Sequence, residues 1–296
     1  MQLLPKFEYY EAEDIDSACS LMSRFQSDGK IIAGGTDVLV NLKEGKIHPA
    51  NLISVSKISG LSGIMEQDSH IVIGSHTLVS TLAEDRLIKG EFPMLAKAAS
   101  NLGSPLIRNR ATIGGNIVTA RPAADLIPPL MALGATIELK SLDGTRNLTL
   151  EEFLVGPGQT TIRNDEILTK VILPETAPYS GGDYIKLGHR KSLEIAIVAV
   201  ASFIKLDKDG MTIQDAKVIL SAVAPKAIHA VSVEKALIGA KATAEVFETA
   251  ALKAISDCRP ISDIRGGSEY RRDMVAALTR KTLLKAFKEV MGEKIF

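Results

Sequence analysis

The chain has 296 residues, of which 46% are hydrophobic and 24% charged, enough for a sizeable core and for two domains, or two lobes and a third part. Its 35 basic and 35 acidic residues cancel, so no long-range field draws it to nucleic acid or to an anionic membrane. Cys19 and Cys258 are far apart and the five histidines show no paired ligand spacing, which excludes a cysteine-ligated zinc or iron–sulfur site and leaves two thiols expected to be reduced.

The N-terminus runs into Glu8, Glu11, Glu13 and Asp14 and lacks a basic segment followed by a long apolar one, so no signal peptide is expected. The longest apolar run, residues 195–201, is too short for a membrane span, and the protein is expected in the cytoplasm. Residues 1–55 read as a first lobe of β-α-β-β order: a helix capped by Asp14 or Asp16 and ending near Phe25, a strand at Lys30-Ile-Ile-Ala, and another at residues 51–55. Residues 56–176 form a second lobe. It holds a strand at Ile71-Val-Ile, a helix over 78–83 capped by Thr77, and a helix over 92–102 stopped by Gly103. A polar, glycine-rich stretch at 104–116 follows, then a helix over 126–133, a strand over 136–140, a turn at Asp143-Gly144 and a closing strand over 165–173. Pro174, Pro178 and Gly181-Gly182 read as a linker. The last part, residues 177–296, has strands near 184–187, 196–205 and 217–222 and helices near 232–237, 244–254 and 268–290. Tyr270, Met274, Ala277, Leu278 and Leu284 share one side of the last helix. This is an α+β layout, a sheet with helices on one face.

Two glycine pairs stand out, Ala33-Gly34-Gly35-Thr36-Asp37 and Thr112-Ile113-Gly114-Gly115-Asn116. Paired glycines admit positive φ and let a ligand approach main-chain N–H groups, which can form an anion-binding nest. Two converging nests suit a diphosphate. Spacing alone leaves the plainer readings open: two turns between strands, Asp37 and Asp125 as caps or surface charges, Arg108 and Arg110 solvated. Neither GxxxxGK[ST] nor a GxGxxG opening a helix is present.

With Ala33-Gly-Gly-Thr-Asp-Val-Leu, Ile107-Arg-Asn-Arg-Ala-Thr-Ile-Gly-Gly-Asn-Ile, Ala123-Ala-Asp-Leu, Gly156-Pro-Gly, Asp165-Glu-Ile-Leu, Lys186-Leu-Gly-His-Arg-Lys and Tyr270-Arg-Arg in order, the chain resembles the FAD-binding medium subunits of the molybdenum hydroxylases. These are the xanthine, nicotinate and carbon monoxide dehydrogenase type. The resemblance covers nearly the whole chain. It implies an FAD-binding domain of the vanillyl-alcohol oxidase type in two lobes, then an α+β C-terminal domain with an antiparallel sheet. It also implies roles for individual residues. Ile31, Ile32, Ala33, Gly34, Gly35 and Thr36 line the pyrophosphate and adenine side, with Asp37, Ile107, Ala111 and Gly114 among the cofactor contacts. Thr112, Gly115, Asn116 and Thr119 hold the diphosphate from the second turn, and Asp125 accepts from FAD donors. Leu102 lies beside the flavin, Ile167 or Leu168 faces the adenine or ring region, and Lys186 lies near the pyrimidine edge, where a cation favours the reduced flavin.

In such complexes a molybdenum-cofactor large subunit oxidises the substrate. Electrons then pass through [2Fe–2S] clusters of a small subunit to the FAD, and on to NAD or another acceptor. No catalytic side chain and no metal site are expected in this chain. The first turn has no histidine, so FAD is expected to be non-covalent. Arg121 replaces a small residue of the family, and Val223-Ala-Pro-Lys-Ala lacks its second proline. Two other readings are a self-sufficient flavin oxidoreductase with its own small substrate, and a non-catalytic nucleotide-binding module.

Overall fold

The computed structural model describes residues 4–190 and 192–292; residues 1–3 of the N-terminus and Lys191, which ends one of the motifs above, lie outside them. Among the described residues, three sheets of three or more strands follow one another along the chain, with one two-stranded hairpin besides. In the first, β1 (Glu8–Glu11), β2 (Gly29–Ile32) and β3 (Asn51–Ser54) are parallel in the order β1-β3-β2. The connections are helical, α1 (Ile15–Phe25) and α2 (Val38–Lys43), as parallel neighbours require. Asp14 caps α1, its carboxylate accepting from Ser17 N at 2.7 Å. The expected β-α-β-β order is therefore corrected to β-α-β-α-β. At six residues α2 is too short to show a helical period, and its two valines favour strand.

In the second sheet β4 (Ile64–Gln67), β5 (His70–Gly74), β6 (Thr136–Ser141) and β7 (Gly144–Thr149) are joined by a strand that follows α9 (Leu150–Phe153) and the hairpin β8 (Leu154–Gly156) and β9 (Gln159–Thr160). That strand, β10 (Ile167–Leu173), is central in the antiparallel order β4-β5-β10-β6-β7. Between β5 and β6 run α3 (Val79–Glu84), α4 (Arg86–Glu91), α5 (Pro93–Asn101), α6 (Pro105–Arg108), α7 (Ile113–Val118) and α8 (Ile127–Ala132). Thr77 does not cap α3; its hydroxyl instead pairs with both main-chain groups of Gly63 at 3.0 Å. The stretch 104–116 holds α6 and α7, each one turn or little more, each capped by its own hydroxyl, Ser104 and Thr112.

The third sheet is antiparallel, β11 (Ser180–Leu187), β12 (Val198–Leu206), β13 (Ile213–Ser221) and β14 (Ile228–His229) in that order, followed by α10 (Val231–Leu237), α11 (Ala244–Asp257) and α12 (Ser268–Val290). Gly181 and Gly182, expected in a linker, lie inside β11. A Cβ on Gly181 would meet the Ala286 carbonyl of α12, and one on Gly182 the Met94 side chain of α5, so both glycines let helices close on an edge strand.

The layers explain the apolar pattern. A core of α3, α5, α7 and α8 residues fills the space between the second and third sheets, and Tyr184, Ala199, Ala201 and Ile219 enter it from the third. A second core between the third sheet and α10, α11 and α12 takes Val198, Val200 and Ile204 from the other face of β12. With both faces covered, β12 reads as a mostly apolar run, broken by Ser202 and Lys205. The buried residues of α12 include Arg271, Val275, Leu278, Thr279, Thr282, Leu283 and Ala286; of the expected stripe Leu278 is among them, Met274 and Leu284 pack half-buried against the same core, and Tyr270 is 46% exposed. Three polar residues face inward, and two of them find partners at the sheet, while the Thr279 hydroxyl is buried without a hydrogen bond among the described residues. Arg271 donates to the Ile197 and Ala222 carbonyls, and Thr282 pairs with Ser202.

Candidate cofactor site

The first glycine turn leaves β2 and enters α2. Gly35 sits at φ +74°, a left-handed conformation that glycine adopts without strain. Gly34 packs directly on the Arg110–Ala111 peptide, and any Cβ there would overlap the Arg110 carbonyl oxygen. The two turns, separate in sequence, thus meet main chain to main chain. Among the described residues, the N–H groups of Gly34, Gly35 and Thr36 donate to no protein acceptor. Three successive donors without a protein acceptor on a half-exposed turn are left available to an anion. Ile31 and Ile32, both half-buried, flank it with apolar surface.

The second turn differs. Neither Gly114 nor Gly115 has positive φ; both lie in α7. Ile113 N donates to Thr77 O (3.0 Å), Gly114 N to Ser75 O (2.8 Å), and Gly115 N to the Thr112 hydroxyl (3.1 Å). The expectation of two nests is therefore corrected at the second turn, because these donors are engaged within the fold. A Cβ on Gly114 would stand 2.8 Å from Ser75 Cβ and O, so this glycine serves close packing of α7 on the loop after β5. What α7 presents instead are half-buried polar side chains. Asn116 Oδ1 accepts from Leu126 N at 3.2 Å, and the Thr119 hydroxyl donates to Asn116 O at 3.0 Å. Thr112 is 2% exposed and Ala111 is buried.

Asn116 leads to the next group, since Leu126 follows Asp125. Asp125 is buried, and both its oxygens are engaged by the third sheet. Tyr184 Oη donates to Oδ1 at 2.9 Å, and Lys186 Nζ donates to Oδ2 at 2.8 Å. Lys186 Nζ also reaches Asn101 O at 3.3 Å. Burial pushes the Asp125 carboxyl up from its usual range, opposed by Lys186 and Tyr184. Burial likewise carries the Tyr184 phenol well above its ordinary value, with the Asp125 charge adding to it. Lys186 is therefore a compensated cation, and Asp125 is tied to the C-terminal sheet.

The other expected residues scatter around this frame. Leu102 ends α5 ahead of Gly103 at φ +53° and is 7% exposed. Ile107 packs on Gly103. Ile167 and Leu168 turn to opposite faces of β10, the first into the core around α1 and the second into the core under α5 and α8. Asp37 begins α2 without capping it, and instead meets Arg121 Nη2 at 3.8 Å. Sequence reasoning missed Tyr184 and Asn101. Tyr184 was findable, since residues two apart on a strand share a face and Lys186 was already singled out. Asn101 contributes a carbonyl, which no side-chain pattern reveals.

The donor set fits a dinucleotide: free N–H groups for a diphosphate, apolar flanks, and buried polar groups supplied by a second sheet. Comparison with known proteins agrees. Residues 5–176 match the family described as FAD binding domain in molybdopterin dehydrogenase, and residues 183–286 match the CO dehydrogenase flavoprotein C-terminal domain. The carbon monoxide dehydrogenase medium chain of Hydrogenophaga pseudoflava is 31% identical over 279 residues, covering 94% of this chain and 96% of that one. The glyceraldehyde dehydrogenase medium chain of Sulfolobus acidocaldarius is 32% identical, covering 97% and 99%. Among solved structures, Hydrogenophaga pseudoflava carbon monoxide dehydrogenase superposes with a TM-score of 0.92 at 30% identity, covering 97% and 99%. Quinoline 2-oxidoreductase of Pseudomonas putida 86 gives 0.91 at 26%, covering 98% and 99%. The chain belongs to the FAD-binding medium subunits of the molybdenum hydroxylases, an oxidoreductase family, and FAD is its cofactor.

Proposed function

We propose that this chain is the electron outlet of a three-subunit hydroxylase, taking electrons from [2Fe–2S] clusters of a small subunit and delivering them to NAD or another acceptor. A large subunit carrying the molybdenum cofactor oxidises the substrate. The name medium chain, borne by relatives, supports a smaller and a larger partner. FAD, when bound, supplies both one- and two-electron chemistry, which suits such a junction.

The chain's residues do the rest. Gly34, Gly35 and Thr36 offer N–H groups to the diphosphate, and Asn116 and Thr119 add polar contacts from α7. Asp125, Lys186 and Tyr184 tie the FAD-binding part to the third sheet, so the flavin end is framed by both. Lys186 sets the charge beside the flavin, moderated by Asp125. The single observation that carries the reading is this division of labour: free backbone donors at one turn and a closed ion pair between the α7–α8 connection and the third sheet. With no histidine in the first turn, the flavin is held non-covalently.

The test uses the assembly purified with its partners. On adding the molybdenum subunit's substrate, iron–sulfur and flavin absorbance should both bleach, and acceptor reduction should stop when the flavin is stripped. Bleaching of flavin in this chain alone, without partners, would contradict the proposal and favour a self-sufficient flavoenzyme.

A further inference from the structure

We propose that Arg121 is a mobile cation of the diphosphate subsite, which leaves Asp37 and closes on the cofactor's pyrophosphate. This rests on the FAD reading of the first turn and goes beyond it, since the family pattern has a small residue at this place.

The backbone is bent to deliver this side chain. Ala120, only 2% exposed, is held at φ +44°, a left-handed conformation that costs a residue with a Cβ. Its carbonyl accepts from Gly158 N at 3.0 Å, and Gly158 is itself at φ +70°. The bend sends Arg121 out of the core toward the other turn, where its guanidinium lies 3.8 Å from Asp37. Both side chains are about half exposed, 53% and 41%, and the separation is beyond a hydrogen bond. Such a pair holds weakly and leaves the guanidinium free to turn. Among the described residues, this is the only side-chain interaction Arg121 makes.

Asp37 raises a problem that Arg121 solves. It directly follows the three free N–H groups, so its charge repels an incoming diphosphate. A cation at the same place cancels that charge. A diphosphate also offers more charge than one carboxylate, and paired oxygens that match the planar guanidinium fork. Arg121 thereby sharpens preference for a phosphorylated ligand over a neutral flavin.

The experiment is a binding titration of the full chain with FAD, ADP and riboflavin at low and high salt, for the wild type, Arg121→Gln and Arg121→Lys. Arg121→Gln should bind FAD and ADP about tenfold more weakly, as loss of one charge-assisted contact implies, with a flatter salt dependence and unchanged riboflavin binding. Arg121→Lys should keep most of the salt dependence. Equal FAD and ADP affinity in wild type and Arg121→Gln overturns the role of Arg121 alone, and so does identical behaviour of the Gln and Lys variants. A wild type that binds neither FAD nor ADP overturns the site reading with it. Displacement of ADP by inorganic pyrophosphate in the wild type needs no variant; no displacement overturns the proposal.

Discussion

Gly34-Gly35 and Gly114-Gly115 look alike as sequence, and the fold uses them differently. The first pair frees its N–H groups and takes one left-handed residue. The second lies within α7, with its N–H groups bonded to Ser75 and Thr112, and its glycines lacking side chains so that Ser75 can approach. A glycine pair signals close approach; it does not say whether ligand or protein approaches. The accounting of main-chain donors decides that.

Breaking the first pair should have the largest effect. Gly34→Ala places a methyl group on the Arg110 carbonyl, so backbone must move; a loss above about 4 kcal/mol in thermal or urea unfolding is expected, with FAD affinity lost. Normal unfolding with normal FAD binding would show that the two turns do not meet there. Next is Asp125→Asn, which leaves the Lys186 charge buried without its counter-ion. It should destabilise by about 3 kcal/mol. It should also raise the flavin potential, whereas Lys186→Met should lower it. A 1.4 kcal/mol change corresponds to roughly 30 mV for a two-electron couple. Shifts of the same sign in both variants would refute the opposed roles. Gly114→Ala should cost about 2 kcal/mol of stability by overpacking, in the cofactor-free protein as much as in the loaded one. If instead only the loaded protein is weakened, the second turn is a ligand contact and the contrast between the pairs fails.

The smallest effect involves residues of neither turn and serves as the control. His229 bridges Glu234 (Nδ1, 2.7 Å) and Glu151 (Nε2, 2.8 Å), joining the third sheet to α9. The hydrogen bonds to Glu151 and Glu234 lift its pKa from 6.5 to about 9. A raised folded-state value means the contribution is whole below the unfolded value near 6.5 and is lost as pH rises through about 9. Solvent screening limits it to about 1 kcal/mol. His229→Gln should flatten the stability profile between those pH values and leave FAD affinity unchanged; an unchanged slope would show that the bridge is not charged.

Much of this was readable beforehand. Helix α12 has the expected limits, and Asp14 and Gly103 act as their residue types imply, whereas the hairpin expected to turn at Asp143-Gly144 turns at Leu142-Asp143, with Gly144 already in β7 opposite Ser141. Apart from α2, whose length hid its period, the differences share one cause: local patterns do not show tertiary partners. Part of the inward face of α12 escapes the apolar pattern because Arg271, Thr279 and Thr282 are polar yet buried, Arg271 donating to the Ile197 and Ala222 carbonyls and Thr282 pairing with Ser202. Gly181-Gly182 looked like a linker because the helices pressing on both faces of β11 lie far away in sequence. Asp125 was marked by resemblance, yet its partners come from the third sheet, distant in sequence, and only the folded chain shows the pairing.

The central claim is that one turn, and not both, offers its backbone to FAD. Glycine-selective ¹⁵N labelling with amide exchange, before and after adding FAD, tests it directly. Gly34 and Gly35 amides should exchange fast in the free chain and become protected with FAD, while Gly114 and Gly115 amides should be protected throughout. FAD bound by its visible spectrum, with Gly34 and Gly35 still exchanging freely, would contradict the account.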